Sequence, residues 1–151
     1  MEATINARTP AHLWIVGGLA TLWNAFGAYD YLMTRMRNMD YLNSMMPGGD
    51  ATAMLNYVDS FPIWAQAGWG MGVWFGLLGS IMLLLRSRWA VHAFILSLAG
   101  MVLSFGYQFT HPSDIVATHE GAAAVMPYVI MLVGLGLLAY ASASRKKGLL
   151  R

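Results

Sequence analysis

Residues 63–85 read IWAQAGWGMGVWFGLLGSIMLLL, a stretch without a single charged side chain. A bilayer's hydrocarbon core of roughly 30 Å is crossed by about 20 helical residues at 1.5 Å each, and this run meets that length. A helix in a soluble protein keeps a polar stripe for water, and none is visible here. The stretch therefore predicts a helix whose solvent is lipid.

Working outward, three further runs have the same character: Leu13 to about Met33, Trp89 to Phe109, and Ala122 to Ala143. The first is interrupted by Asn24 and Asp30; the other two are uncharged when His92 is neutral. Pro10 and Pro62 mark helix starts, where a missing N–H costs nothing, and Pro127 in the first turns of the fourth run predicts a mild kink. A cleaved signal peptide is the competing reading of the first run. It is longer than a signal's usual apolar core, and Trp14, Trp23, Asn24 and Tyr29 are unusual in one, so it is expected to stay. The composition agrees, since 58% of the 151 residues are hydrophobic and only 11% charged, too few charges to coat a soluble globule. The expected fold class is all-α: one membrane domain over 1–151, a four-helix bundle with an outer loop at 34–62.

Orientation follows from the basic residues beside the spans. Arg8, Arg86, Arg88, Arg145, Lys146, Lys147 and Arg151 fall on one side; Arg35 and Arg37 fall on the other, together with most of the acids. Both termini are thus expected on the cytoplasmic side of the membrane. Only Arg86, Ser87 and Arg88 separate spans two and three, which predicts a tight antiparallel hairpin. Gly68, Gly72 and Gly76, with Gly79 and Ser80, give span two a smooth stripe for close helix packing. In the outer loop, PGGD at 47–50 is a turn, flanked by short amphipathic helices near Asn38 to Met46 and Ala51 to Val58.

Polar side chains in or near the spans are costly unless paired, and they are where function could reside. Asn24, Asp30, Gln66, Gln108 and Tyr128 lie at depths that permit a polar cavity open to the outer side. Asp30 is an interfacial carboxylate first and a ligand or proton site second; Asn24 is first an interhelix hydrogen bond. His111, Asp114, His119 and Glu120 match no metal-site spacing and are expected to be solvated. Met33, Met36, Met39, Met45 and Met46 suggest a cuprous site, but apolar gap-filling is the better reading. His12 and His92 are the minimum for axial haem ligation, yet both sit near span ends. No catalytic residue, cofactor or metal is therefore assigned. The absence of cysteine excludes disulfides and thiolate chemistry, and a net charge of +2 gives no reason to expect nucleic acid.

The stretches LWNAFGAYDYLMT, FPIWAQAGWGMGVWFGLLGSIMLLLRSRWAV and YASASRKKGLL resemble a family of small bacterial four-span proteins often labelled "sugar transporter" in genome annotation. The most specific parts are Leu22-Trp23-Asn24 with Gly27, Gly76 to Ser80, and Leu84 to Ala90. The resemblance implies the four-span architecture and raises the case for transport. The residues themselves favour a noncatalytic membrane module that assembles with itself or with another membrane protein, since no nucleophile and base pair can be put together. The alternative is an oligomeric carrier of a small, sugar-like solute. A small multidrug exporter is disfavoured, because Asp30 lies too near the edge to stand for a mid-membrane glutamate.

Overall fold

The computed structural model describes residues 9–113 and 121–151, with side chains left undescribed at 121–124. Among the described residues the only regular elements are helices: α1 (Ala11–Arg35), α2 (Met39–Met45), α3 (Ala51–Asp59), α4 (Ile63–Leu84), α5 (Ala90–Thr110) and α6 (Gly121–Lys146). Three of them are long and apolar enough to cross a membrane: α4, α5 and the Val125–Lys146 part of α6. At 25 residues α1 matches them in length, but Asn24, Asp30 and its several Gly, Ala, Trp and Tyr residues dilute its apolar character.

The four long helices make a row in chain order, α1 against α4, α4 against α5, and α5 against α6. The α4–α5 seam is the tightest. A methyl group added to Gly68 would lie 2.9 Å from the carbonyl oxygen of Gly100, and one added to Gly79 would lie 2.9 Å from the ring of Phe94. As the residue number rises on α4 it falls on α5, so the two helices run in opposite directions. Ser97 adds a polar clasp by donating its hydroxyl to the carbonyl of Gly72 at 2.6 Å. Without a hydrophobic drive between helices in lipid, such backbone proximity is how attraction accumulates.

The helix ends show a pattern that the sequence did not announce. α1, α4 and α6 each finish in a Schellman turn, in which two amides past the helix return to its last carbonyls. For α1 these are Arg37 N–H to Thr34 O and Asn38 N–H to Met33 O; for α4, Arg86 N–H to Leu83 O and Ser87 N–H to Met82 O; for α6, Gly148 N–H to Arg145 O and Leu149 N–H to Ser144 O. The turn needs a left-handed residue. Glycine supplies it at Gly148 (φ 71°), whereas Arg37 (φ 55°) and Arg86 (φ 60°) adopt it despite their Cβ atoms. That conformation costs about 1–2 kcal/mol for a non-glycine residue, and both arginines use their side chains in bonds that glycine could not make.

Those bonds close the two ends of the molecule. At one end the tail after α6 folds onto the α4–α5 turn: Arg88 N–H donates to Arg151 O at 2.8 Å and Arg151 N–H to Arg86 O at 2.7 Å. The Arg86 guanidinium donates to the carbonyl of Leu149 at 3.1 Å and to the hydroxyl of Thr9 at 2.7 Å. Leu150 is thereby buried in the principal core, with Leu13, Leu83, Val91, Phe94 and Ala141. At the other end lie α2 and α3, flanking the turn at 47–50. Asn38 and Asp50 cap them by accepting from the amides of Tyr41 and Ala53, and Leu42, Ala51 and Leu55 pack between them. An aromatic chain of Tyr57, Phe61, Trp64 and Tyr107, with ring centroids 4.9–5.7 Å apart, fastens α3 to α4 and α5.

Candidate functional site

The polar residues singled out along the spans have separate partners. Asn24 projects from α1 toward α4, donating to the Ser80 hydroxyl at 2.9 Å and to its own helix at Ala20 O. Ser80 passes a hydrogen bond on to Gly76 O. Gly76 leaves the space that Asn24 fills, since a Cβ there would lie 2.5 Å from Asn24 Oδ1. Asp30 faces another way, accepting from the Tyr41 hydroxyl of α2 at 2.9 Å. Gln66 belongs to the end of the row, where its Oε1 accepts from Arg35 at 3.0 Å and its amide donates to Phe61 O at 2.9 Å. Tyr128 is 59% exposed and stacks on Phe109 with centroids 5.4 Å apart. Gln108 is half-buried near the end of α5.

The α1–α4 contact is thus a ladder of opposed residues: Gly17 against Leu84, Asn24 against Ser80, Tyr31 against Trp69, and Arg35 against Gln66. Residues seven or four apart along α1 share the face that meets α4. Asp30 is off that face, which is why it reaches α2 while Asn24 reaches α4.

The other candidate groups are occupied in simpler ways. Asp114, His119 and Glu120 lie outside the described residues. His111 stacks on Tyr107 at 4.4 Å, and its carbonyl accepts from the Tyr57 hydroxyl. Among the described residues no three His, Asp or Glu side chains come together as a metal would require. Met33 Sδ accepts weakly from Asn38, Met36 and Met45 are exposed, and Met46 packs under α3. His12 contacts the Tyr140 hydroxyl through Nδ1 at 2.5 Å, whereas His92 lies against Trp89.

No protein-family model, curated protein or solved structure matches this chain. Its function has to be argued from its own geometry. The polar feature that sequence reasoning missed is the end of α1, where Thr34, Arg35 and Arg37 meet Leu55, Val58 and Asp59 of α3 around a cleft of about 120 Å³. Arg37 forms an ion pair with Asp59. The sequence clue was the pair of basic residues on an otherwise acidic side.

Tyr41 gives this end a pH dependence. Burial first, then the Asp30 carboxylate it donates to, disfavours its phenolate and pushes its pKa from 10.0 up to about 12. Because the folded value is the higher one, the α2–α1 contact keeps its full strength below pH 10 and loses it as pH rises toward 12. A difference titration of phenolate absorbance against Tyr41→Phe should isolate one tyrosine ionising near pH 12. An ordinary value near 10 would show that the Asp30 contact is not formed.

Proposed function

We propose that this protein is a noncatalytic integral membrane module that works by assembly, with copies of itself or with another membrane protein. In this reading α1 is a fourth span beside α4, α5 and α6, giving a four-span bundle in which α4 and α5 are a membrane hairpin. Both termini and the 86–88 turn are cytoplasmic, with α2 and α3 on the outer side of a bacterial inner membrane. The basic residues support this, since Arg86, Arg88, Arg145, Lys146, Lys147 and Arg151 gather at the end where the tail meets the α4–α5 turn. The resemblance to small four-span proteins belongs to the same reading.

The observation that carries it is how the polar groups of the long helices are engaged. Asn24 holds Ser80, Ser97 holds Gly72, and Gln66 holds Arg35, so these groups join helices to one another rather than stand ready for a solute. The flanks of the row are apolar. α1 exposes Ile15, Leu19, Leu22 and Phe26, and α6 exposes Leu132 and Leu135. Among the described residues α1 and α6 approach one another sparsely, and His12 meets the Tyr140 hydroxyl between them. Lipid covers such flanks in a lone copy, and another membrane protein covers them in an assembly.

The absence of native cysteine makes a clean test available. Leu22→Cys and Leu132→Cys, at sites 71% and 68% exposed, are treated with a membrane-permeant bifunctional thiol reagent in native membranes. The expected result is a discrete crosslinked species from at least one site, matched by a stoichiometric complex in mild detergent. A protein that stays monomeric in both experiments, and that supports saturable solute flux after reconstitution, would overturn the proposal. Loss of that flux in Asp30→Asn or Asn24→Ala would point to the carrier instead.

A further inference from the structure

The cleft at the end of α1 combines three features that the helix contacts around it do not use up. The first is a buried hydroxyl. Thr34 is 2% exposed, and among the described residues its Oγ1 has no hydrogen-bond partner. Thr21 and Thr110 return their hydroxyls to the carbonyls four residues earlier, Gly17 and Gly106, as helical threonines do. Thr34 lines the cleft without that bond.

The second feature is unbalanced charge. Of the two arginines lining the cleft, Arg37 is neutralised by Asp59. Among the described residues Arg35 donates one N–H, to the neutral amide oxygen of Gln66, and forms no ion pair. A guanidinium has five N–H donors in a planar fork suited to paired oxygens, so most of the capacity of Arg35 remains free. The third feature is position. The cleft lies where α1 leaves its apolar run, with Leu55 and Val58 on the α3 side, and has room for a tetrahedral oxyanion.

We propose that this cleft binds a phosphate oxyanion, held by the free N–H groups of Arg35 and, once its buried hydroxyl turns toward the cleft, by Thr34. Arg37 and Asp59 form its far wall, the pair keeping the carboxylate's charge compensated so that it does not repel the anion. Two sources share this chemistry: the headgroup phosphate of a membrane lipid, for which the end of a span is the natural depth, and free phosphate in the outer medium. The site needs no second copy and no partner, while the span-end depth and the outer side of its two sources rest on the four-span reading proposed above.

The test uses the full chain, purified in a phosphate-free detergent, with binding measured by native mass spectrometry. One arm titrates inorganic phosphate and the other a short-chain phosphatidylethanolamine. Arg35→Gln is expected to weaken binding by about tenfold or more, the usual effect of losing a charge-assisted hydrogen bond, and Thr34→Val by a smaller factor. Thr34→Val also removes a buried unpaired hydroxyl, so without phosphate its melting temperature should equal or exceed that of the parent, which separates lost binding from misfolding. Saturable binding in the lipid arm assigns a headgroup site and in the phosphate arm a solute site, provided Arg35→Gln weakens it. Failure of both probes to bind, or binding indifferent to both substitutions, would overturn the proposal.

Discussion

Gly100→Ala should destabilise this protein more than any other single-methyl addition, while Gly106→Ala, six residues along the same helix, should be neutral or stabilising. The added Cβ at Gly100 would lie 2.5 Å from both the carbonyl oxygen of Gly68 and the amide nitrogen of Gly72. Both are backbone atoms of α4, so no rotamer change relieves the clash and the helices must separate. Separation also weakens the Ser97 to Gly72 bond and the neighbouring contacts of Gly68 and Gly79. Overpacking of this kind typically costs about 1–3 kcal/mol, and the rigidity of the obstructing atoms places Gly100 at the upper end of that range. At Gly106 an added Cβ meets nothing within 4 Å, and helix propensity favours alanine by up to about 1 kcal/mol. Thermal unfolding of the two variants in the same detergent checks the pair. Equal melting temperatures would mean that α4 and α5 do not meet at backbone distance.

The second large effect is expected at Arg86, where substitution should separate two opposing terms. Arg86→Ala removes the bonds to Leu149 O and Thr9 Oγ1 while keeping a Cβ at φ 60°, so it loses the clamp and retains the backbone cost. Hydrogen bonds from charged donors are worth about 1.5–3 kcal/mol, and release of the tail also uncovers Leu150 from the core. Arg86→Gly loses the same bonds but relieves the left-handed strain, so it should retain about 1 kcal/mol more stability than Arg86→Ala. Protease sensitivity of residues 147–151 provides a second readout, with both variants cut faster than the parent. If the alanine and glycine variants were equally stable, the left-handed turn would not be under strain.

Much of the helical organisation was legible beforehand. The uncharged runs gave α4, α5 and α6 within a few residues of their ends, and the PGGD turn with an amphipathic stretch on either side foretold α2 and α3. Gly68 and Gly72 of the stripe marked the α4–α5 seam, while Gly76 meets Asn24 of α1 more closely than it meets α5. The Asn24 contact with Ser80 follows the simplest expectation for a deep amide. The end clamps were not legible. Neither Arg37 nor Arg86 carries the glycine signal of a left-handed helix end, and the tail's grip on the 86–88 turn joins residues more than sixty positions apart. The cleft at Thr34 escaped for the same reason: its walls come from two helices whose facing sides no periodicity specifies.

The sequence alone therefore determined which segments are helices and that α4, α5 and α6 suit lipid, because length, apolarity and backbone satisfaction are properties of each segment by itself. The tertiary structure decided which neighbour each polar side chain meets. Asp30 and Asn24 lie six residues apart on one helix, yet one reaches α2 and the other α4. That choice depends on how each helix is rotated about its axis when packed, and the rotation is fixed by contacts between segments rather than by the composition of any one of them.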